Sequence, residues 1–268
     1  MHQLHQLHQL HQLKAICIIR VIGAIRVRNP LFMQLFYSKN IKNGLAQLDE
    51  VDARHAVQVL RKKVGDAMQL TDGVGNLYDG TILEIGKKNC LIGINSTIGA
   101  YNERPFKLHI AIAPTKNIDR FEWFLEKATE IGIDEITPLI CKRSEREVIK
   151  WERLNSVLIS AMKQSLKAYL PTLNEAIRFQ QFMKNDFSES QNFIGHCIEN
   201  AEKQVLSKMY KKGGNSVILI GPEGDFTEGE VEAALAQHFQ AVSLGDSRLR
   251  TETAGLVACH TVNLINEI

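Results

Sequence analysis

A short loop near the C-terminus combines glycines, a proline and acidic side chains directly after an apolar run. The run Ser216–Ile220 predicts a buried strand, and Gly221–Phe226 joins it to a helix that Thr227 and Glu230 would open as a capping box. The two glycines of the loop would let its backbone approach a ligand closely. Its two acidic residues would repel a phosphate, and the chain has neither a G-x-G-x-x-G nor a G-K-S/T motif. The loop therefore predicts either a site for a neutral or cationic ligand or an ordinary tight turn.

A second loop, Leu244–Ala254, joins a predicted strand to the last predicted helix and carries two arginines. Arg248 and Arg250 lie in its irregular part, and Thr251 and Glu252 begin the helix. The N-terminus of a helix carries a partial positive charge and does not normally collect cations. A conflict of this kind between local rules is typical of functional positions. The alternative is a pair of solvated surface arginines.

The elements that must position both loops belong to a region of alternating strands and helices, residues 107–268. Short apolar runs alternate there with longer stretches of helical periodicity, including a predicted helix over 201–212 closed by Gly213. Alternation of this kind implies an α/β domain with a parallel sheet, helices on both faces and ligands at the carboxyl ends of the strands. Both loops follow strands, so we expect both at that edge.

Residues 33–99 have a different rhythm, with short apolar runs separated by turn signals such as Asp72-Gly73. One helix is predicted, with Asp52 as its N-cap and an apolar side that continues to Val64. These patterns indicate a small β-barrel-like domain with one helix. The polar, proline-containing segment 100–106 is interpreted as the linker to the second domain.

Composition and charge exclude several classes of protein. The chain of 268 residues has 32 Lys+Arg against 30 Asp+Glu, but residues 1–32 hold four of the basic residues and no acid, so the remainder carries 28 basic against 30 acidic groups. A hydrophobic share of 44% with 23% charged residues is typical of a globular protein and excludes disordered, collagen-like and disulfide-scaffold classes. Nothing approaches the roughly 18 uninterrupted apolar residues of a membrane span. We therefore expect a cytoplasmic protein with no membrane attachment.

The first 32 residues differ from the rest in composition, because HQL repeats four times from His2 to Leu13. We interpret residues 1–32 as a disordered, low-complexity leader, with a metal-binding histidine run as the alternative. The five cysteines lie far apart and form no C-x-x-C pair, which favours neither a zinc site nor a disulfide framework. No metal cofactor is predicted.

The two loops and a segment upstream resemble a known family. The stretches LIGPEGDFTEGEVEAA, SLGDSRLRTETA and AIAPTKNIDRFEWFLEKATEIGIDEITPLICKRSERE are similar to the motifs of the RsmE ribosomal RNA uridine-N3 methyltransferases, members of the SPOUT superfamily. The similarity runs from Met33 to the end of the chain. It implies a C-terminal SPOUT α/β domain, with a mostly parallel sheet and a deep trefoil knot, after a small PUA-like β-barrel that binds RNA. Such a knot is a rare exception to the rule against threaded connections.

The resemblance also implies the cofactor, the substrate and the partners. It implies that a homodimer binds S-adenosyl-L-methionine in the knots at its subunit interface and methylates N3 of a specific uridine in 16S ribosomal RNA, within the small ribosomal subunit. The residues matching the family's cofactor pocket form two walls. The first wall comprises Leu219, Ile220, Gly221, Pro222, Glu223 and Gly224, and the second comprises Ser243, Leu244, Gly245, Leu249, Arg250 and Thr251.

Methylation of a uracil nitrogen requires that N3 lose its proton. Glu223 and Glu252, both near the cofactor loops, are candidate proton acceptors. Arg250 is the candidate group to stabilise the uracil anion as it develops.

A slightly acidic protein must hold RNA through local basic patches. The candidate phosphate contacts are Arg54, Arg61 and Lys62 on the barrel helix and Arg143 and Arg146 in the second domain. Lys167 stands where many relatives have an arginine, and it lacks the planar fork of that side chain. The alternative for each basic run is a solvated helix face.

Two other functions fit the same scaffold. One is a ribose 2′-O or guanine-N1 methyltransferase, which the paired loop motifs disfavour. The other is an RNA-binding ribosome-assembly factor with a decayed cofactor pocket, which the retained Gly221, Gly224, Gly245 and Arg250 disfavour.

Overall fold

The computed structural model describes residues 34–197 and 203–268. The predicted leader, with its histidine repeat and Cys17, therefore lies outside the described residues. Residues 34–268 form one unit by their contacts and contain two sheets, one on each side of the segment 100–106.

The first sheet has six strands and forms the β domain predicted for the N-terminal part. These strands are β1 Leu35–Tyr37, β2 Ile41–Lys42, β3 Leu45–Leu48, β4 Ala67–Thr71, β5 Leu77–Ile85 and β6 Cys90–Ile98. Their order is β1-β4-β5-β6-β3-β2, with only the β1–β4 pair parallel. In β3, Ala46 and Leu48 are buried while Leu45 and Gln47 are exposed, as a half-buried strand requires.

The helix of this domain differs from its prediction. Helix α1 spans Glu50–Arg54, and its N-cap is Asp49, whose side chain accepts a hydrogen bond from the N–H of Asp52 at 2.8 Å. A π-helical turn, His55–Val59, follows. Val64, expected on the apolar side, is 59% exposed. The prediction of Asp52 as N-cap was wrong because Asp49 supplies the cap and the carboxylate of Asp52 is buried.

The second sheet has eight strands, and every recorded pairing in it is parallel. Its strands are β7 Leu108–Ile112, β8 Glu135–Ile140, β9 Thr172–Leu173, β10 Ile177–Arg178, β11 Gln191–Gly195, β12 Gln204–Val205, β13 Ser216–Ile220 and β14 Gln240–Ser243. Their order is β10-β8-β7-β13-β11-β14-β12, and β9 pairs with β8. The predicted parallel sheet is confirmed.

Helices cover both faces of the second sheet. They are α2 Ile118–Ile131, α3 Trp151–Gln164, α4 Phe179–Phe182, α5 Leu206–Met209, α6 Glu228–Ala236 and α7 Thr251–Glu267. Apolar residues of α2, α3 and α7 share one buried cluster, and those of α4 and α6 share another. Helix α7 packs closely, because a Cβ on Gly255 would lie 2.7 Å from Ile112 Cδ1 and 2.8 Å from Phe124 Cε2.

The helix predicted over 201–212 is wrong for most of its described part. Gln204–Val205 is a strand that pairs with β14, and only Leu206–Met209 is helical. Pairing with a neighbouring strand overrides local helical propensity here. The trefoil knot stays a prediction. In the part of the chain that the structure describes, no helix has the length and apolar character needed to cross a membrane.

Candidate functional site

The carboxyl ends of the parallel strands β7, β8, β11, β13 and β14 lie along one edge of the second sheet. The two loops singled out by the sequence follow β13 and β14, and β11 lies between these strands. Gly195 ends β11 and lies near both loops, because a Cβ there would lie 3.6 Å from Ile220 Cδ1 and 3.8 Å from Leu244 Cδ1. Gly195 was not predicted as a site residue, although a glycine at the end of an apolar strand can mark a close approach.

Loop Gly221–Phe226 forms a tight turn, in which the N–H of Asp225 donates to the carbonyl of Pro222 at 2.9 Å. A side chain at Gly221 would crowd the ring of Phe226, because a Cβ there would lie 3.0 Å from Cδ2. Asp225 has a positive φ of 62°. Its Oδ2 accepts a hydrogen bond from the N–H of Cys197 at 2.8 Å, so Asp225 ties the loop to the segment after β11.

The predicted capping box is confirmed at the start of α6. The N–H of Glu230 donates to Thr227 Oγ1 at 3.3 Å, and the N–H of Thr227 donates to Glu230 Oε2 at 2.8 Å. The other oxygen, Oε1, accepts from the N–H of Lys142 at 2.8 Å. This buried carboxylate therefore caps α6 and also holds the segment that follows β8.

The exposed side chain of Glu223 joins the loop after β13 to the loop after β7. Its Oε1 accepts a hydrogen bond from the N–H of Lys116 at 2.9 Å. The Nζ of Lys116 pairs in turn with Glu145 Oε2 at 2.7 Å, and this hydrogen-bonded ion pair raises the pKa of Lys116. Glu223, one of the predicted catalytic carboxylates, therefore holds the loop after β13 to the loop after β7.

Arg143 and Arg146, predicted as phosphate contacts, donate to the backbone of the same loops. Arg143 Nη1 donates to the carbonyl of Gly224 at 2.9 Å. Arg146 Nε donates to the carbonyl of Thr115 at 3.1 Å, and its Nη2 donates to that of Lys116 at 2.7 Å. Each arginine therefore holds a strand-to-helix loop at the carboxyl edge of the sheet.

The second loop turns at Gly245, which has a φ of 127° and open space where a Cβ would project. Ser243 Oγ donates to the carbonyl of Gly245 at 3.0 Å and stabilises this turn. Arg250 occupies the N-cap of α7, but its exposed side chain makes no capping hydrogen bond. Glu252 in the first turn is 7% exposed. An arginine in this position, at the positive end of a helix, is free of a capping role and available to an anion.

A groove of about 540 Å³ separates the start of α2 from the second loop and the start of α7. The lining residues are Asp119, Arg120, Trp123, Arg248, Leu249, Arg250, Glu252 and Thr253. Cations, carboxylates and a 41% exposed indole meet in this groove. It brings Arg250 and Glu252 together, whereas Glu223 is not among its lining residues.

The predicted cofactor residues divide by burial. Leu219, Ile220, Gly221, Pro222 and Thr251 are buried. The remaining members of the two walls are half-buried or exposed, and they comprise Glu223, Gly224, Ser243, Leu244, Gly245, Leu249 and Arg250. Buried strand ends with exposed loop tips are typical of a ligand site at the edge of a parallel sheet.

Two barrel residues predicted to contact RNA lie on the surface. Arg54 is exposed and pairs with Glu50 at 3.4 Å. Arg61 is exposed and has a positive φ of 55°, which is uncommon for a side chain of its size. Both guanidinium groups are accessible to a partner.

The two remaining residues of the predicted RNA set are lysines, and both donate to backbone carbonyls. Lys62 Nζ donates to Ala67 at 2.7 Å. Lys167 is half-buried, and its Nζ donates to Ile131 at 3.4 Å. Burial, and then the neighbouring Arg104, lower the pKa of Lys167. Lys167 therefore contributes to packing between elements.

Family models match nearly all of the described chain. A model described as an RNA methyltransferase domain matches residues 102–263, which is more than half of the chain. A model described as an RNA methyltransferase PUA domain matches residues 48–95. The two matches fall on the parallel sheet and the six-stranded sheet, respectively.

Curated relatives of similar length share one name. The protein named ribosomal RNA small subunit methyltransferase E of Rickettsia conorii is 29% identical over 244 residues, covering 88% of this chain and 96% of its own length. The protein of the same name from Bacillus subtilis is 29% identical over 230 residues, covering 81% of this chain and 89% of its own length.

Solved structures show the same architecture. A probable rRNA-methyltransferase from Porphyromonas gingivalis has a TM-score of 0.83 and 41% identity, covering 88% of this chain and 99% of its own. A ribosomal RNA small subunit methyltransferase E from Neisseria gonorrhoeae, solved with bound S-adenosyl methionine, has a TM-score of 0.76 and 29% identity. The match covers 85% of this chain and 95% of that protein's chain.

Proposed function

The chain belongs to the RsmE family of RNA methyltransferases, and on this premise we propose that it methylates 16S ribosomal RNA with S-adenosylmethionine as the methyl donor. The acceptor is N3 of one uridine. The observation that carries the proposal is the pair of glycine-containing loops after β13 and β14, which lie on either side of Gly195 at the carboxyl edge of the sheet. A binding-only assembly factor is disfavoured, because both loops retain the features of a ligand site.

The residues at this edge fit such a cofactor. Ile220 and Leu244 flank Gly195, and Gly245 leaves space where a side chain would project. Apolar side chains beside accessible backbone suit an adenine ring and the polar atoms at its edge. When bound, S-adenosylmethionine supplies an electrophilic methyl group on a sulfonium, and the exposed Glu223 lends negative charge to this edge.

Arg250 and Glu252 supply the proton chemistry in our proposal. We assign the uracil to the groove that Arg250 and Glu252 share. The size of the groove, the exposed ring of Trp123 and the mixed charges of the lining residues support this assignment. Glu252 accepts the proton of N3–H, which leaves a lone pair on N3 for attack on a methyl group. Bound S-adenosylmethionine would supply that methyl group, and its C–S bond would break to leave a neutral thioether. The guanidinium of Arg250 stabilises the negative charge that develops on the uracil, as preorganised donors do in other enzymes. Glu223 is the weaker candidate for the base, because Lys116 already engages its Oε1.

RNA is held by the barrel in this proposal, chiefly by the exposed Arg54 and Arg61, with Lys62 beside them. Arg143 and Arg146 act mainly on the loops, because their guanidinium groups donate to loop carbonyls. Unstacking of the uridine is required to bring its N3 atom into a groove.

We also propose that the enzyme is a homodimer in the cytoplasm that acts on the small ribosomal subunit. Two exposed apolar side chains support the dimer: Trp123 on α2, which also lines the groove, is 41% exposed, and Leu264 on α7 is 43% exposed. Single apolar residues are normal on a surface, but these two lie on helices that pack together. Analytical ultracentrifugation of the protein and of Leu264→Glu tests this, and a monomeric wild type would contradict it.

Isothermal titration with S-adenosylmethionine tests the cofactor site directly. We expect one binding event per chain that Gly195→Val abolishes, because the added side chain would fill the space between Ile220 and Leu244. Gly99→Ala is a control at an exposed glycine of the six-stranded domain, where an added Cβ would make only an ordinary contact with Asn76 Oδ1 at 3.4 Å. Absence of heat with the wild-type protein would favour the assembly-factor alternative.

A further inference from the structure

The six-stranded domain contacts the catalytic domain through a nearly buried ion pair. Lys163 Nζ on α3 lies 2.6 Å from Asp52 Oδ1 on α1, and the two side chains are 19% and 7% exposed. The other carboxylate oxygen, Oδ2, accepts from the N–H of Tyr37 at 3.4 Å. Removing water from a carboxylate is costly unless a partner compensates, so this pair is sensitive to the distance between the domains.

A second contact lies just beyond the C-terminal end of α3. The N–H of Gly75 donates to the carbonyl of Ala168 at 2.9 Å, and the N–H of Leu170 donates to that of Gly73 at 2.8 Å. A Cβ on Gly75 would lie 2.3 Å from the ring of Tyr169, so only glycine fits there.

The other end of α3 reaches the candidate site. In the segment before it, Cys141–Lys150, the N–H of Lys142 donates to Glu230 on α6, and Arg143 and Arg146 donate to carbonyls of the loops after β13 and β7. On α3 itself, Arg153 Nη2 lies 3.4 Å from Asp119 Oδ1, and Asp119 lines the groove. Helix α3 and the segment before it therefore link the candidate site to the barrel.

We propose that Lys163 and Asp52 are a positioning pair that fixes the orientation of the barrel on α3, so that a uridine held by the barrel reaches the groove at Arg250. Its effect on methylation rests on the proposed function, whereas its effect on orientation does not. Neither residue touches the cofactor loops, so the pair acts on the capture of RNA and leaves cofactor affinity unchanged.

Hydrogen exchange at the amides of Gly75 and Leu170 reports the orientation directly, because both donate across the contact between the domains. In Lys163→Met we expect exchange at these two amides to accelerate about tenfold or more, with amides of β13 unchanged. The KM for RNA rises about tenfold, while kcat and the Kd for S-adenosylmethionine stay within about twofold. Lys163→Arg keeps the pair and keeps wild-type values. Lys184→Met removes an exposed lysine elsewhere and controls for the lost charge.

Unchanged exchange at Gly75 and Leu170 in Lys163→Met would overturn the proposal. Accelerated exchange at these two amides in Lys163→Arg would overturn it as well. If Lys163→Met unfolds, the double variant Asp52→Asn with Lys163→Met leaves no unpaired charge and is measured in its place, with the same expected acceleration. If wild-type protein does not methylate RNA, the proposed function fails, but the exchange result still decides the role of the pair.

Discussion

Glu223 Oε1 accepts a hydrogen bond from the backbone N–H of Lys116 at 2.9 Å and so joins the loops that follow β13 and β7. These strands are neighbours, paired in register from Ser216 and Leu108 to Ile220 and Ile112. A carboxylate that carries this contact has a structural role at the edge where the proposed cofactor loops lie. Its role differs from that of Glu252, which lies in the groove beside Arg250.

Replacing Glu223 separates these roles. Glu223→Gln keeps an oxygen that can accept from Lys116, so we expect kcat within about threefold of wild type. Glu223→Ala loses the contact, and the Kd for S-adenosylmethionine should rise about fivefold to tenfold, as the net loss of one hydrogen bond predicts. Titration calorimetry and single-turnover methylation measure the two quantities. A hundredfold fall in kcat for Glu223→Gln would instead identify Glu223 as the proton acceptor.

Variants of the groove test the proton chemistry. Glu252→Gln should lower the single-turnover rate about 10²- to 10⁴-fold, the range for loss of a general base. Arg250→Ala should lower it about 10²- to 10³-fold, because the uracil anion loses a preorganised donor. Both are measured with RNA and cofactor saturating, with Arg178→Ala, an exposed arginine paired with Glu147, as the control. An unchanged rate for Arg250→Ala would rule out the anion-stabilising role.

The salt dependence of RNA binding separates phosphate contacts from loop contacts. The slope of log K against log salt changes by about 0.7 for each contact to a single strand, so Arg54→Ala with Arg61→Ala should reduce its magnitude by about 1.4. Arg143→Ala with Arg146→Ala removes the same charge from residues that bond to loop carbonyls. We expect that pair to leave the slope unchanged and to weaken cofactor binding. Equal slopes for the two double variants would contradict this assignment.

Asp72 makes the stability of the barrel depend on acid. Burial raises the pKa of Asp72, but the hydrogen bonds that its carboxylate accepts from Asn76, Val74 and Tyr78 together lower the pKa by more. The pKa of Asp72 therefore lies below its ordinary value. The folded state therefore binds this proton more weakly than the unfolded state. The stabilisation is fully present above the unfolded pKa of about 4 and is lost as pH falls through the folded pKa.

Urea unfolding between neutral pH and pH 3 measures this contribution. Asp72→Asn should be less stable than wild type at neutral pH, and the difference should shrink as the solution becomes acidic. A difference that does not depend on pH would show that the contribution comes from the shape of the turn and not from its charge.

Local patterns predicted the parts of the fold that local chemistry determines. The capping box at Thr227 and Glu230 was predicted because both halves of it lie within one helical turn. The parallel sheet was predicted because strand and helix patterns alternate along the chain. The strand Gln204–Val205 was predicted as helix, because its partner, Val242–Ser243, lies far along the chain.

The candidate site was predicted in its two loops but not in what connects them. Strand order cannot be read from periodicity, so nothing indicated that β11 and Gly195 lie between the loops. Arg143 and Arg146 were predicted as RNA contacts from their charge together with the family resemblance. Their partners are backbone carbonyls of Gly224 and Lys116, and such long-range acceptors have no sequence signal.

Nucleoside analysis of small-subunit ribosomal RNA, from cells with and without this protein, tests the central claim most directly. We predict that 3-methyluridine is present at one position in cells with the protein and absent without it, and that Glu252→Gln fails to restore it. Unchanged 3-methyluridine in cells that lack the protein would contradict the account.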